Sequence, residues 1–138
     1  ITFFQIWAKK GNSLFLVRRK ESGLFGGMWE LPSMEVDGHP KAPDKKTLSI
    51  LCRTTIGPGW KPKSEIARVT RTLTHRKILF AVFEAEKPKI SAPNPANRMG
   101  GVWASKADLE ALPLSSAQRA AIAAARDAME RGRESPTS

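Results

Sequence analysis

The most informative run of this sequence is Gly23-Leu24-Phe25-Gly26-Gly27-Met28-Trp29-Glu30-Leu31-Pro32. Its three glycines permit positive φ angles or a close backbone approach, where a side chain would clash. The run also carries large apolar side chains, which a loop that only crosses a surface does not need. It ends by delivering Trp29 and Glu30 into a segment closed by Pro32. The run therefore indicates tight packing, either around a ligand or within the core.

The composition indicates one soluble domain that binds polyanions. The 138 residues are 41% hydrophobic, enough for a real core, and carry a formal charge of +10. Such a charge favours binding to nucleic acid and, as less favoured alternatives, binding to anionic membranes or nucleotide substrates. A basic fragment of a larger, charge-balanced protein is the alternative. The single cysteine, Cys52, excludes an internal disulfide and a cysteine-rich zinc or iron–sulfur site in this chain.

The sequence contains no segment that would place it in a membrane. No apolar run approaches the ~20 residues that cross a bilayer, and no signal peptide is visible. The chain begins at Ile1 rather than methionine, which is typical of a piece of a longer protein. We expect a cytoplasmic location.

Hydrophobic periodicity and turn residues predict the elements along the chain. The predicted strands are Thr2–Ala8, Ser13–Arg19, Trp29–Val36, Glu65–Thr72, Lys77–Glu86 and Gly101–Ala104. The predicted helices are residues 44–56 with Asp44 as N-cap, a short helix after Ser105, and residues 115–131 with a Ser115/Gln118 capping box. We expect loops at Leu73–Arg76 and over residues 87–98, one domain over residues 1–131, and a disordered tail over residues 132–138.

The strand Lys77–Glu86 is apolar on both faces, since Ile78, Phe80 and Val82 alternate with Leu79, Ala81 and Phe83. A strand that is buried on both faces requires a layer above and a layer below the sheet. The predicted fold class is therefore α/β (α+β), an α/β/α sandwich around a mixed β-sheet.

This order of elements, with Trp29-Glu30-Leu31-Pro32 before a helix and Gly57 after it, resembles the Nudix fold. In detail it resembles the C-terminal domain of the A/G-specific adenine DNA glycosylases, the MutY family. Three segments carry this resemblance. They are the run from Gly23 to Pro32, the run Arg71-Thr72-Leu73-Thr74-His75, and Val102-Trp103 leading to Leu112-Pro113-Leu114-Ser115-Ser116-Ala117-Gln118-Arg119.

A working Nudix hydrolase needs several carboxylates on one helix, because Mg²⁺ or Mn²⁺ takes oxygen ligands and supplies the charge for pyrophosphate cleavage. The positions where the Nudix box places glutamates, counted back from Gly57, are Leu51, Thr54 and Thr55. Between Lys41 and Gly57 the only acidic residue is Asp44. The sequence therefore predicts neither a metal site nor catalytic residues. A nucleotide hydrolase with an atypical site and a protein-interaction module stay as alternatives.

The resemblance implies a module that recognises 8-oxoguanine opposite adenine in base-excision repair. It implies that adenine excision belongs to a separate N-terminal helical domain, which would hold an iron–sulfur cluster, so no cofactor is expected in this chain. The implied partners are double-stranded DNA with 8-oxoguanine:adenine mispairs and that N-terminal domain, with no membrane. The implied location is the bacterial cytoplasm, at the nucleoid.

The segment Leu73-Thr74-His75 lies where the family has a Phe-Ser-His loop. 8-Oxoguanine differs from guanine in having an O8 acceptor and an N7–H donor, while normal guanine presents N7 and O6 acceptors in the major groove. The Thr74 hydroxyl can accept a hydrogen bond from N7–H or donate one to O8. His75 is a second candidate for contacting a base or phosphate, and Leu73 can fill space beside the base.

Basic residues surround this segment and also precede the glycine-rich run. They are Arg68, Arg71, Arg76 and Lys77 around the segment, and Arg18, Arg19 and Lys20 on the first hairpin. If these residues share a face they form a phosphate-binding track. The alternative is that they are merely solvated charges at strand ends. Trp29, Trp103, Met28 and Leu31 are expected in the core, and Glu30 is expected to accept from the loop backbone.

Overall fold

The computed structural model describes residues 1–38, 40–89 and 100–133. Within these ranges the chain forms seven strands and three helices. The strands are β1 (Thr2–Lys10), β2 (Ser13–Arg18), β3 (Trp29–Glu30), β4 (Ser33–Val36), β5 (Lys61–Leu73), β6 (Arg76–Glu86) and β7 (Val102–Ala104). The helices are α1 (Lys45–Thr55), α2 (Lys106–Ala111) and α3 (Ser116–Arg133).

The strands form one mixed sheet in the order β3-β2-β1-β6-β5, with β4 paired to β1 and β7 paired to β2. The central pair, β1 with β6, is parallel and runs from Thr2↔Leu79 to Ala8↔Ala85. The other pairs are antiparallel. This mixed sheet confirms the predicted fold class.

The central strands bury both faces, and each face has its own core. Phe3, Trp7 and Phe80 lie on the face covered by α2 and α3. Phe4, Ile6 and Phe83 lie on the opposite face, with Leu48 and Cys52 of α1. Because successive side chains of a strand point to opposite faces, the doubly apolar sequences of β1 and β6 require a helical layer on each side. The chain is therefore the predicted α/β/α sandwich.

A buried pair of amides ties α3 to the centre of the sheet. Gln5 Nε2 donates to Gln118 Oε1 at 2.6 Å, and Gln118 Nε2 donates to Gln5 Oε1 at 3.0 Å. The Ser115 hydroxyl accepts from the Gln118 backbone N–H at 3.0 Å, as expected of an N-cap. The Gln118 side chain therefore does not complete the predicted capping box, because Gln5 engages it. Helix α3 begins at Ser116 rather than Ser115.

The strand predicted over Trp29–Val36 is two strands. β3 pairs with β2, whereas β4 pairs with β1. Between them Leu31 is fully buried, and the Pro32 carbonyl accepts from the Ile6 N–H at 3.0 Å. The chain thus changes partner strand at the Leu31-Pro32 step, which a continuous strand cannot do.

Other element boundaries also differ from the prediction. β5 begins at Lys61 rather than Glu65, and β6 begins at Arg76. Helix α3 continues to Arg133, beyond the expected end of the domain at residue 131. The irregular loop predicted over residues 87–98 lies outside the described residues from position 90 on, as does the predicted tail from position 134 on.

Candidate nucleic-acid interface

The Thr74-His75 segment lies at the turn of the β5–β6 hairpin. The pairing of β1 with β6 starts at Leu79, while β5 and β6 stay paired through Arg71↔Ile78, Thr72↔Lys77 and Leu73↔Arg76. We call residues 71–78 the arm. Three residue pairs at about 3.3 Å per residue make it roughly 10 Å long. Residues 74–77 are all exposed. The arm is thus a short two-stranded ribbon that presents its turn to solvent.

The turn of the arm contains only Thr74 and His75, so the loop predicted over Leu73–Arg76 is shorter than expected. Two-residue hairpins favour turns with positive φ at the first central residue, where glycine or asparagine is usual. Thr74 has φ +55°. A β-branched residue in this region is a genuine outlier, and such backbone conformations cost on the order of 1–3 kcal/mol.

Among the described residues with positive φ, Thr74 is unusual because it is neither a glycine nor packed against the core. The other non-glycine residue with positive φ in the described ranges is Phe25, at +57°. Phe25 packs against the core and lies 6.2 Å from the Phe3 ring, so burial offsets its strain. Thr74 is exposed and has no such compensation. Strain without a packing benefit is typical of functional positions.

Three predicted phosphate contacts lie on the arm with Thr74 and His75. Directly opposed residues on paired strands share a face, so Arg71 and Arg76 lie on the α3 side and Lys77 lies on the α1 side. All three are exposed. None of them forms an ion pair with any residue that the structure describes. The turn therefore stands among uncompensated positive charges on both faces of the ribbon.

Arg68 lies farther down β5, beside the register shifts between Pro62 and Ala67. Its guanidinium donates to both carboxylate oxygens of Glu65, at 2.9 and 2.7 Å. These hydrogen bonds raise the pKa of Arg68 above its usual value. The charge of Arg68 is thus already paired, unlike the charges of the arm.

Arg19 is not on the arm, and its charge is also compensated. Its guanidinium donates to the two oxygens of Glu30 at 3.2 and 3.4 Å, to Glu35 at 2.9 Å and to the Leu24 carbonyl at 3.0 Å. It also lies 5.3 Å from the centre of the Phe3 ring. Arg19 therefore joins the glycine-rich run to the sheet. Its predicted neighbour Lys20 is exposed.

Burial and ion pairing have opposite effects on the pKa values of Arg19 and Glu30. Burial would lower the pKa of Arg19, but the charges and hydrogen bonds of Glu30 and Glu35 raise it above the usual value. The pKa of Glu30 is also raised, because burial of its carboxylate outweighs the attraction of Arg19. The Ser33 hydroxyl donates to Glu30 at 3.3 Å. Glu30 thus pairs with side chains, not with the loop backbone as predicted.

A cavity of about 310 Å³ lies beside this group and is lined in part by Thr55, one of the three positions where a Nudix box places glutamates. Its lining residues are Val17, Arg18, Arg19, Lys20, Ser22, Glu30, Ser33 and Thr55. The Thr54 hydroxyl donates to the Ile50 carbonyl at 2.8 Å, and the Thr55 hydroxyl donates to Leu51 at 2.6 Å. The lining offers one carboxylate, already bound by a guanidinium, and so does not fit Mg²⁺ or Mn²⁺.

Residues 1–38, 40–89 and 100–133 contain neither a cluster of metal ligands nor a membrane-spanning helix. In those ranges no cluster of three or more His, Cys, Asp or Glu side chains could hold a metal ion. The same ranges contain no helix with the length and apolar character needed to span a bilayer.

The large apolar residues predicted in the core contribute to packing. Leu31 is fully buried. Trp103 packs against the α1-side core and lies 5.0 Å from Phe15 and 5.7 Å from Trp60, measured between ring centres. Trp29 packs against the other core, and its backbone N–H donates to the Pro113 carbonyl at 2.9 Å.

Comparison with known families and structures gives a consistent result. The family model described as a NUDIX domain matches residues 2–124. The C-terminal domain of mouse MUTYH, solved in complex with human PCNA, is 19% identical with a TM-score of 0.67, covering 91% of this chain and 87% of that chain. A MutT protein from Methanosarcina mazei Go1 is 21% identical with a TM-score of 0.62, covering 99% of this chain and 96% of that chain. The NUDIX domain of Shewanella oneidensis NrtR, solved with ADP ribose, is 16% identical with a TM-score of 0.62, covering 94% of this chain and 88% of that chain. A comparison with curated proteins finds no match. Identities this low show a shared fold alone.

Proposed function

The chain belongs to the NUDIX domain family, and from this premise we propose that it is the lesion-recognition domain of an A/G-specific adenine DNA glycosylase. It reads 8-oxoguanine opposite adenine at the bacterial nucleoid and directs an N-terminal catalytic domain, which holds the iron–sulfur cluster, to the mispair. The observation that carries this proposal is the arm, where exposed Thr74 and His75 stand among cations that have no acidic partner in the described residues.

The chemistry of the lesion suits the turn of the arm. Reading 8-oxoguanine requires a hydrogen-bond acceptor aimed at N7–H, because normal guanine offers an acceptor at that position. The Thr74 hydroxyl can accept this bond, and the adjacent O8 can accept from a hydroxyl or an imidazole N–H.

The dimensions and charges of the arm support the same function. A two-stranded ribbon fits the major groove, which is about 12 Å wide and exposes the N7 edge of purines. Arg71 and Arg76 on one face and Lys77 on the other can each approach a phosphate strand bordering the groove. The arm can therefore place Thr74 at a base edge while its cations contact the backbone.

The residues of α1 favour recognition of a damaged base over hydrolysis of a nucleotide. Leu51, Thr54 and Thr55 stand where metal-binding glutamates are expected, and both threonine hydroxyls donate to helix carbonyls. A hydrolase on this fold would need another source of carboxylates, and Glu30 is held by Arg19.

The experiment compares two duplexes of identical sequence, one with 8-oxoguanine:adenine and one with guanine:adenine, by fluorescence anisotropy at several salt concentrations. We expect the chain to prefer the lesion. Thr74→Ala should reduce this preference by about two- to tenfold, the equivalent of one net hydrogen bond. Thr74→Ser should retain it.

Thr72→Ala is the matched control, because Thr72 is an exposed threonine on the same ribbon but in the extended strand. It should leave the preference unchanged. Equal affinity of the unmodified chain for both duplexes, or equal effects of the two alanine variants, would refute the proposed reading site.

A further inference from the structure

The positive charge is distributed unevenly between the two helical layers. Helix α1 contains three basic residues, Lys45, Lys46 and Arg53, and no acidic residue. Helices α2 and α3 together contain five basic and four acidic residues. Lys106 and Arg131 are exposed cations of this second layer, in which basic and acidic residues are nearly equal in number. The excess of basic over acidic residues is therefore larger in α1 than in α2 and α3 together.

The outer face of α1 is a stripe of two cations. Leu48, Cys52 and Thr55 face the sheet and are buried. At 100° per residue, Lys46 and Arg53 lie within about 20° of each other on the opposite side of the helix. Both are exposed. The i, i+7 spacing separates them by about 10 Å along the axis, and neither forms an ion pair within the described ranges.

The topology puts the beginning of this stripe at the arm's end of the sheet. β4 ends at Val36, which pairs with Thr2, and Thr2 pairs with Leu79 at the base of the arm. Helix α1 starts at Lys45, and eight residues separate it from the end of β4. It ends just before β5, whose first residue pairs with Glu86 at the opposite end of the sheet. Lys46 is therefore the cation of the stripe nearer the arm, and Arg53 the farther one.

One cation of the arm, Lys77, also lies on the same side of the sheet as the stripe. Lys77 pairs with Thr72, so both point to the face that α1 covers, and Arg68 opposes Ala81 of the α1-side core. Lys77, Lys46 and Arg53 thus follow one another across a single side of the domain.

We propose that the outer face of α1, through the side chains of Lys46 and Arg53, is a second contact surface for the phosphate backbone of duplex DNA. This inference rests on the proposed function and extends it, since the arm would read the lesion while α1 fixes the domain on the flanking duplex. Phosphate contacts position a protein without carrying sequence information. The stripe therefore contributes affinity and salt dependence, but no discrimination of the lesion.

The composition of the stripe favours a polyanion over a protein. Ile50, at 44% exposure, is the only large hydrophobic residue that is exposed within the described part of the chain. Helix recognition by a protein groove uses several apolar anchors at i, i+3, i+4 and i+7. In α1, Lys46 stands at position i, Ile50 at i+4 and Arg53 at i+7. A protein groove would therefore find a single apolar anchor, Ile50.

The test removes two charges from α1 and, separately, two from the other helical layer. Lys46→Gln/Arg53→Gln is compared with Lys106→Gln/Arg131→Gln, which has the same net charge and also changes exposed helical positions. Affinity for an undamaged duplex of about 20 base pairs is measured against salt. The α1 variant should lose about tenfold in affinity at low salt. Its log–log salt slope should fall by about 1.8, since each phosphate contact contributes about 0.9.

The control variant should change affinity by less than twofold. Equal losses in the two variants would mean that only net charge matters and would overturn the assignment, as would an unchanged α1 variant. Ile50→Ser should bind normally, and a loss as large as that of the cation pair would replace the phosphate contact with an apolar one. The ratio of lesion to normal affinity separates this inference from the proposed function. Under the proposed function this ratio depends on Thr74, and it should stay constant in the α1 variant.

Discussion

Replacing Thr74 by glycine changes stability and recognition in opposite directions if the turn is strained for the sake of its hydroxyl. The substitution removes the steric cost of φ +55°, which is on the order of 1–3 kcal/mol for a side chain that is not glycine. The greater freedom of glycine in the unfolded chain returns about 0.5–1 kcal/mol of that gain. We therefore expect a net stabilisation of about 1 kcal/mol.

For a domain of 138 residues, a stabilisation of about 1 kcal/mol corresponds to an increase in Tm of roughly 3–4 °C. Urea denaturation and calorimetry measure this gain. The anisotropy assay on the same preparation should show that the preference for 8-oxoguanine has fallen as far as in Thr74→Ala. The result would be a more stable protein that reads the lesion less well.

Thr72→Gly is the control for glycine itself. Thr72 lies in the extended strand β5, where glycine costs about 0.5–1 kcal/mol. That variant should be less stable and should retain its preference for the lesion. A loss of stability in Thr74→Gly would refute the idea that the turn is strained. A gain in stability with full retention of the lesion preference would show that the strain serves something other than the hydroxyl.

Three further predictions concern the rest of the molecule. The pKa of Glu30 is higher in the folded chain than its ordinary value of about 4.5, so folding takes up a proton at this carboxylate. The stability that this group contributes is therefore lost as pH rises from about 4.5 towards the folded pKa. Denaturation at several pH values should show that Glu30→Gln lacks this loss. Cys52 is fully buried and burial raises its pKa to about 11, so mass spectrometry should detect alkylation by iodoacetamide at pH 8 at least about 100-fold more slowly in the native chain than in urea. Incubation with Mg²⁺ and dGTP or 8-oxo-dGTP should yield no pyrophosphate or phosphate by colorimetric assay, and appreciable turnover would favour the hydrolase alternative.

Much of the fold could be predicted because its signals are local. The double apolar alternation of Lys77–Glu86 indicated a buried central strand, and the Asp44 N-cap marked the start of α1, where its carboxylate accepts from Thr47 at 2.8 Å. The break at Leu31-Pro32 was missed, since it reflects a change of partner strand rather than a change in periodicity. Pairing between distant strands cannot be predicted from the residues of either strand alone.

The turn that carries the candidate site could be predicted, but the geometry around that turn could not. The run Leu73-Thr74-His75 was placed at a turn, and it forms the end of the arm. Which cations share a face depends on the register shifts between Pro62 and Ala67, because a one-residue slip sends every following side chain to the other face. The pairing of Arg19 with Glu30 and Glu35 was likewise missed, since these residues meet only through the packing of β2, β3 and β4.

The parallel pairing of β1 with β6 has a consequence for synthesis on the ribosome. β1 contains Phe3, Phe4, Ile6 and Trp7, all buried in the folded chain, yet its first partner on β6, Leu79, is synthesised 77 residues after Thr2. At about 5–20 residues per second, roughly 4–15 s pass before β6 follows. During that interval an aromatic strand that is to become the centre of the sheet remains without its main neighbour. We therefore expect chaperones to bind the β1 segment, residues 2–10, until β6 has been synthesised.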